Sequence, residues 1–311
     1  MIKQGPFEFH IHPRVVWNRE EFKAHAPPGS IALDGMVRGG PFFDEESLYF
    51  NFDHHDGVVR EVTMSTCKQV YTAITMGLMD CLTPPVRVYV NDPDQDTSLA
   101  LWLLLHHKQF EGVQSIPSIS RLLELTDRLD ITGGSYPMNL DDALLRRHTW
   151  VFGAYSEFRR SGALAVANTA VMEANLEATF GRLDRYLMGQ SEEAVLDTRH
   201  EILFDHPLFK IVDEIGGNDA RYALFSKGMK AFVSLVARRP DGRFVWSIGR
   251  RSPYVRKFPV PTLYDDLTAA DGIFRPQGWN GSNIVGGSDR LLGSSLDWQR
   301  IRDIVLKRIQ P

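Results

Sequence analysis

Residues 47–57 read Ser-Leu-Tyr-Phe-Asn-Phe-Asp-His-His-Asp-Gly. Leu48, Phe50 and Phe52 alternate and Tyr49 is a β-favouring aromatic, so the stretch opens as a strand. It closes in Asp53, His54, His55 and Asp56 ahead of Gly57, whose backbone freedom permits a sharp exit. A buried strand that delivers these groups at its carboxyl end puts them where open α/β sheets bind ligands. Consecutive strand residues point to opposite faces. One of the two histidines can therefore face an ion squarely while the other meets a substrate oxyanion. The pattern suits a metal-dependent phosphoester site.

Two further strands are expected to end in acids. Ile31-Ala32-Leu33 runs into Asp34-Gly35, and Val86-Arg87-Val88-Tyr89-Val90 runs into Asn91-Asp92-Pro93-Asp94-Gln95-Asp96. If the Asp34 and Asp53 strands are parallel neighbours, their tips bring the two acids together. Asp92, Asp94 and Asp96, spaced by two, repel one another unless cations neutralise them, and capping the apolar helix that follows needs one acid rather than three. Helices are expected over 65–80 and 120–130; the second places Asp127 and Asp130 on one face, within reach of a metal cluster. His10 and His12 share one face of a short N-terminal strand and are further ligand candidates. A helix or helix pair over 154–190 connects to a strand-rich C-terminal part. There Tyr222–Phe225 reads as a strand, and 231–236 and 244–248 form a hairpin around Pro240-Asp241-Gly242. Arg250 and Arg251 at a strand end suit phosphate recognition. The run Gly278 to Ser288, with Asn280, Gly286, Gly287 and Ser288, exposes N–H groups that can cradle an oxyanion; Trp279 in it can stack on a base.

Composition sets the limits. The chain has 311 residues, enough for one large domain or two ordinary ones, and its 43% hydrophobic and 24% charged content is that of a soluble globular protein. A net charge of −4 argues against broad binding of long nucleic acid. Two cysteines, Cys67 and Cys81, give no disulfide framework and point to a reducing, cytoplasmic setting. No apolar run is long enough to span a bilayer and the first residues lack a signal-peptide profile, so no membrane partner is expected.

Together these residues resemble the DHH phosphoesterase superfamily, with the name motif at Asp53-His54-His55 and an acid-rich motif at Asn91–Asp96. The resemblance implies an α/β fold. An N-terminal DHH-type catalytic domain with a mainly parallel sheet flanked by helices would cover 1–155. A helical connector would cover 156–195, and a smaller α/β domain resembling the DHHA1 substrate domain would cover 196–311. It implies a hydrolase using two divalent ions, Mn²⁺ first and Mg²⁺ or Co²⁺ next, on a phosphodiester or phosphoanhydride bond. Asp34 would bridge the ions, His54, Asp94 and Asp96 would ligate them, Asp127 or Asp130 would complete the second, and His55 would contact the phosphoryl group. Arg250, Arg251, Asn280, Gly286, Gly287 and Ser288 would hold the substrate, a nucleotide, short oligonucleotide or polyphosphate. A homodimer is compatible with this organisation. The acid-rich motif follows DHH instead of preceding it, Val90 stands where a histidine is expected, and Ser288 stands where Gly-Gly-His would end. These replacements motivate an alternative of another class: a sensor that binds nucleotides or phosphates without turnover.

Overall fold

The computed structural model describes residues 1–113, 115–273 and 278–309. In chain order the N-terminal part forms β1 (Ile2–Gln4), β2 (Phe7–Ile11), α1 (Arg19–His25), β3 (Ile31–Leu33), β4 (Phe42–Asp44), β5 (Tyr49–Phe52), α2 (Thr66–Thr75), β6 (Val86–Val90), α3 (Gln95–Leu105) and α4 (Pro117–Ile131). The short helices α5 (Ala143–Val151), α6 (Gly153–Arg160) and α7 (Ala163–Val166) precede the long α8 (Thr169–Leu187). The remainder comprises β7 (Glu201–Asp205), β8 (Lys210–Asp213), α9 (Asn218–Ser226), β9 (Ala231–Arg238), β10 (Phe244–Arg250), α10 (Val260–Asp271), β11 (Asn280–Gly281), β12 (Val285–Gly287) and α11 (Trp298–Ile309). The fold is α/β with two mixed sheets.

Two compact units emerge. The first holds 1–131, 146–158 and 167–194; the second holds 132–145, 159–166 and 195–311. Residues 156–195, read as a connector, therefore divide, with α8 belonging to the first unit and α7 to the second. Of the two arrangements expected over 154–190, one helix or a pair, the single helix does not occur: the chain is interrupted at Gly162, which has φ +77°, and restarts where Asn168 accepts a hydrogen bond from the Val171 amide.

The first unit carries the sheet β1-β2-β6-β3-β5-β4. Strands β2, β6, β3 and β5 are mutually parallel, and the antiparallel β1 and β4 close the edges. Their carboxyl ends consequently lie along one border, so the residues after Leu33, Phe52 and Val90 emerge side by side. The ladder continues one step further, because the Asp34 amide donates to the Phe52 carbonyl at 2.9 Å. Phe7, Phe9, Ile31, Val86 and Val88 are essentially fully buried. Helix α3 is buried from Asp96 to Leu104, which is why it shows an unbroken apolar run instead of a stripe.

The second unit is built on the sheet β11-β12-β10-β9-β8-β7, antiparallel except for β8 beside β9. Its core includes Phe209, Trp246, Phe258, Leu263, Trp279 and Ile301. Two sequence expectations change here. Tyr222–Phe225 lies in helix α9, and residues 220–225 are all buried, so no periodicity distinguished helix from strand. The glycine-rich run is strand for part of its length: Gly286 and Gly287 pair with Ile248 and Ser247 on one side and with Gly281 and Asn280 on the other. Glycine is required there by close approach. A Cβ on Gly286 would fall 2.2 Å from the Asn280 carbonyl oxygen and 2.3 Å from the Tyr264 hydroxyl. No described helix is long and apolar enough to cross a membrane.

Gly286→Ala should therefore lower stability by roughly 2 kcal/mol or more, as overpacking does, read as a fall in the urea midpoint. A loop exposing free N–H groups would tolerate the same change. His148 gives a pH prediction. It is buried without a partner for Nε2, and burial lowers its pKa from 6.5 to about 3. The unfolded chain takes up a proton that the folded chain refuses, so stability is full above pH 6.5 and falls as the pH drops towards 3. Near pH 4.5 the loss should be about 3 kcal/mol, and urea unfolding of His148→Leu should lack that increment.

Candidate metal centre

The centre forms where β3 and β5 end. Asp34 follows β3 in the left-handed region, with φ +51°, and is 9% exposed. Each of its oxygens is gripped by a hydroxyl: Thr66 donates to Oδ1 at 3.0 Å and Thr97 to Oδ2 at 3.1 Å. Asp53, fully buried at the end of β5, uses Oδ1 to accept from the amides of Gly35, His54 and His55. Its Oδ1 also lies 3.1 Å from His55 Nδ1, and that nitrogen is 3.2 Å from Asp34 Oδ1. His55 is thus held by its Nδ1 edge while its side chain remains 40% exposed.

His54 is the centre's anchor. Its side chain is fully buried, and neither ring nitrogen makes an aligned hydrogen bond. Its Nε2 lies 2.6 Å from Asp130 Oδ2, 3.5 Å from Asp34 Oδ1 and 3.9 Å from Asp96 Oδ2. Two overlapping groups of potential ligands result, Asp34–His54–His55 and His54–Asp96–Asp130. One imidazole nitrogen binds one ion at a time, so the groups share a single seat at Nε2.

Two helix starts supply the rest. The first amides of α2 are capped by carboxylates from other helices: Ser65 donates to Asp127 Oδ1, Thr66 to Asp96 Oδ2 and Cys67 to Asp96 Oδ1. Those N–H groups and the helix dipole stabilise the buried anions. Asp94 caps α3 itself, accepting from the Thr97 amide at 3.0 Å. Arg60, 8% exposed, donates through Nη2 to the Asp130 carbonyl and to Asp130 Oδ2, while its Nε is buried without a partner.

Charge is unevenly compensated. Burial works against protonated His54 and His55, yet Asp130 raises the first to about 10 and Asp34 raises the second to about 11. Burial works to raise Asp34, but His55 and His54 hold its carboxyl well below the usual range; for Asp130, Arg60 and His54 outweigh burial and lower it. For two other acids burial and neighbouring carboxylates win. Burial, then Asp34 and Asp130, push Asp94 well above its ordinary value, and burial, then Asp130 and Asp34, push Asp96 to about 6. Asp34, Asp53, Asp94, Asp96 and Asp130 against two imidazoles and one guanidinium form a donor set that fits an added dication.

The expected residues therefore separate. Asp34, His54, His55, Asp96 and Asp130 converge. Asp94 stands beside them as a helix cap and is in neither three-residue group. Asp127 is outside both groups: beyond capping α2, its Oδ2 accepts from Lys68 Nζ at 3.2 Å. His10 and His12 stack with Tyr89, at 4.8 and 5.9 Å between ring centroids, and belong to no described ligand group. In the second unit Arg250 is buried and its guanidinium donates to the carbonyls of Asn283, Val255 and Phe258, so it is a framework residue. Asn280 donates to the Gly278 carbonyl. Ser288, 8% exposed, accepts from the Trp246 amide. Gly286 and Gly287 are committed to the sheet, and Trp279 is packed at 2% exposure. Arg251 alone of this set remains an exposed cation. Arg60, Thr66 and Thr97 were not singled out in the sequence. An arginine among valines at 58–62 was the available signal for Arg60, whereas a threonine at a helix start carries no mark in the sequence of a hydroxyl that holds a carboxylate.

Compared with models of known protein families, with curated proteins and with solved structures, the chain matches none.

Asp130→Asn should abolish divalent-ion uptake, followed by calorimetric titration of Mn²⁺. Asp127→Asn should leave uptake intact and cost about 1 kcal/mol of stability as a lost cap. The reverse pattern would exchange their assignments.

Proposed function

We propose that this chain is a metal-dependent phosphohydrolase of the DHH type, acting on a phosphodiester or phosphoanhydride bond of a small nucleotide, short oligonucleotide or polyphosphate. The observation that carries this reading is His54, a fully buried imidazole without an aligned hydrogen bond, ringed by three carboxylates from three different elements. Asp34, His54, Asp96 and Asp130 would hold a divalent cation. One imidazole among oxygen donors suits Mn²⁺, with Mg²⁺ or Co²⁺ as alternatives. A second ion, implied by the resemblance to the family, would share Asp34 and draw on Asp94. Bound cations supply Lewis acidity at a phosphoryl oxygen and a lowered pKa for the attacking water.

The chain's own residues divide the remaining work. Thr66 and Thr97 fix both oxygens of Asp34, so its direction is set before any ligand arrives. Asp53 holds His55 through Nδ1, leaving Nε2 as the nitrogen available to substrate. In the metal-free chain Asp34 outweighs burial and raises His55, favouring a protonated ring whose Nε2 N–H would be the one offered to a phosphoryl or leaving oxygen. Arg60 keeps Asp130 ionised and in place. DHH membership rests on the order of residues around Asp53-His54-His55, and the phosphate contacts expected of Arg250 and Gly286–Ser288 do not support it, since those groups are committed to the framework.

Elemental analysis beside hydrolysis of bis-p-nitrophenyl phosphate with added Mn²⁺ tests the proposal. Wild-type protein should bind metal and turn over, and Asp34→Asn should lose both. His55→Gln should keep the metal and lose on the order of 10² to 10⁴ in kcat. Absence of metal uptake, or hydrolysis that survives Asp34→Asn, would sink the reading. Metal uptake with no phosphoester hydrolysis would favour the sensor.

A further inference from the structure

Residues 54–64 leave the end of β5 as a loop and come back to where they started. The buried Gln69 closes its base: Nε2 donates to the Asp53 carbonyl at 2.9 Å and to the Met64 carbonyl at 2.7 Å. The Gly39 amide braces the outgoing limb by donating to Asp56 Oδ2. Midway lies a 3-10 turn over Arg60–Val62, closed by the Val62 amide on the Val59 carbonyl and the Thr63 amide on the Arg60 carbonyl. The Thr63 hydroxyl also donates to the Val59 carbonyl. Arg60 turns inwards to Asp130. The loop is thus fixed at its base, its limb and its turn, with His54 and Arg60 on the inner side.

The outer side is apolar. Val59, Val62 and Met64 are 63%, 79% and 41% exposed. Single aliphatics scattered over a surface are ordinary, but three on one short, braced loop form a patch that gains by being covered. Its place suggests what covers it. Val59 is joined directly to Arg60, whose guanidinium holds a carboxylate 2.6 Å from His54 Nε2, and the half-exposed His55 stands at the start of the same loop. One loop therefore carries polar groups for a phosphoryl group on one side and an apolar rim on the other.

We propose that Val59, Val62 and Met64 form a subsite for an apolar substituent of the substrate. This rests on the phosphohydrolase reading for the reaction and adds the character of one group on the phosphorus. The phosphoester carries an aliphatic arm, which lies along the rim while His55 and the metal centre hold the phosphoryl group. A bare polyphosphate has nothing to place there. Contacts of the arm are the same before and during the reaction, so they act on KM and not on kcat.

Methyl p-nitrophenyl phosphate and hexyl p-nitrophenyl phosphate, hydrolysed with added Mn²⁺ to p-nitrophenolate and the alkyl phosphate, are the test. Lengthening the arm should lower KM by roughly fourfold for each methylene the rim covers, on the order of tenfold overall, with kcat unchanged. Val59→Ser/Val62→Ser should bring the two KM values together. Met76→Ser, at a residue 81% exposed outside the loop, should keep them apart. All three side chains are exposed, so unchanged thermal unfolding is expected of both variants. Equal KM values in the wild type overturn the proposal and leave the phosphohydrolase reading in place; a wild-type dimer that Val59→Ser/Val62→Ser then dissociates would make the rim an interface between copies. If neither ester is hydrolysed, that reading falls, and calorimetric titration of hexyl and methyl phosphate with Mn²⁺ present decides the subsite separately. It stands if hexyl phosphate binds tighter to the wild type and loses that advantage in Val59→Ser/Val62→Ser. It falls if the two phosphates bind alike or not at all.

Discussion

Like charges packed at the border of a parallel sheet are the constraint on which the first unit depends. Asp34, Asp53, Asp94, Asp96 and Asp130 gather at that border, and among the described residues His54, His55 and Arg60 oppose them there. Buried carboxylates persist only when paired, hydrogen-bonded or neutralised. Asp53 takes three backbone amides on Oδ1 while its Oδ2 is buried without a partner; Asp34 is held by two hydroxyls and Asp130 by Arg60. Asp96 takes two amides at the start of α2. Amides and hydroxyls fix these groups in place without cancelling their charge and Arg60 offsets one of them, which leaves the excess of negative charge that a cation seat requires.

The same bonds set the architecture around it. A helix start must find acceptors for its free amides, and α2 finds them in Asp96 of α3 and Asp127 of α4 instead of in its own Ser65. Three helices are thereby locked to one another, by Asp96 at the ligand position and by Asp127 outside it. Asp127 and Asp130, one helical turn apart, illustrate how finely the roles separate: one turns to an amide and a lysine, the other to His54 and Arg60. In the second unit the arginine expected to hold phosphate is tied to three carbonyls, and the glycines expected to cradle it are closely packed strand.

Much of the first unit was legible. Strands at 31–33, 49–52 and 86–90 announced themselves through β-favouring residues, and a strand tip followed by an acid needs no tertiary knowledge to be noticed. Parallel pairing of β3 and β5, on which the meeting of Asp34 and Asp53 depends, was an assumption in the sequence and a fact of the register. Spacing alone could not separate Asp127 from Asp130, because both lie on one face of α4 and the direction of approach decides. Arg60 was missed since an arginine is ordinarily at the surface, and only its partner Asp130, seventy residues away, makes it a core residue. In the C-terminal part, glycine carries little information: the same letters serve an anion cradle and a crowded strand, and the neighbours that distinguish them come from distant elements.

The most direct measurement is an anomalous difference map from crystals grown with Mn²⁺. A peak is expected within bonding distance of His54 Nε2 and of carboxylate oxygens from Asp34, Asp96 and Asp130. An empty map at His54, or a peak beside His10 and His12 instead, would contradict the assignment of the metal centre.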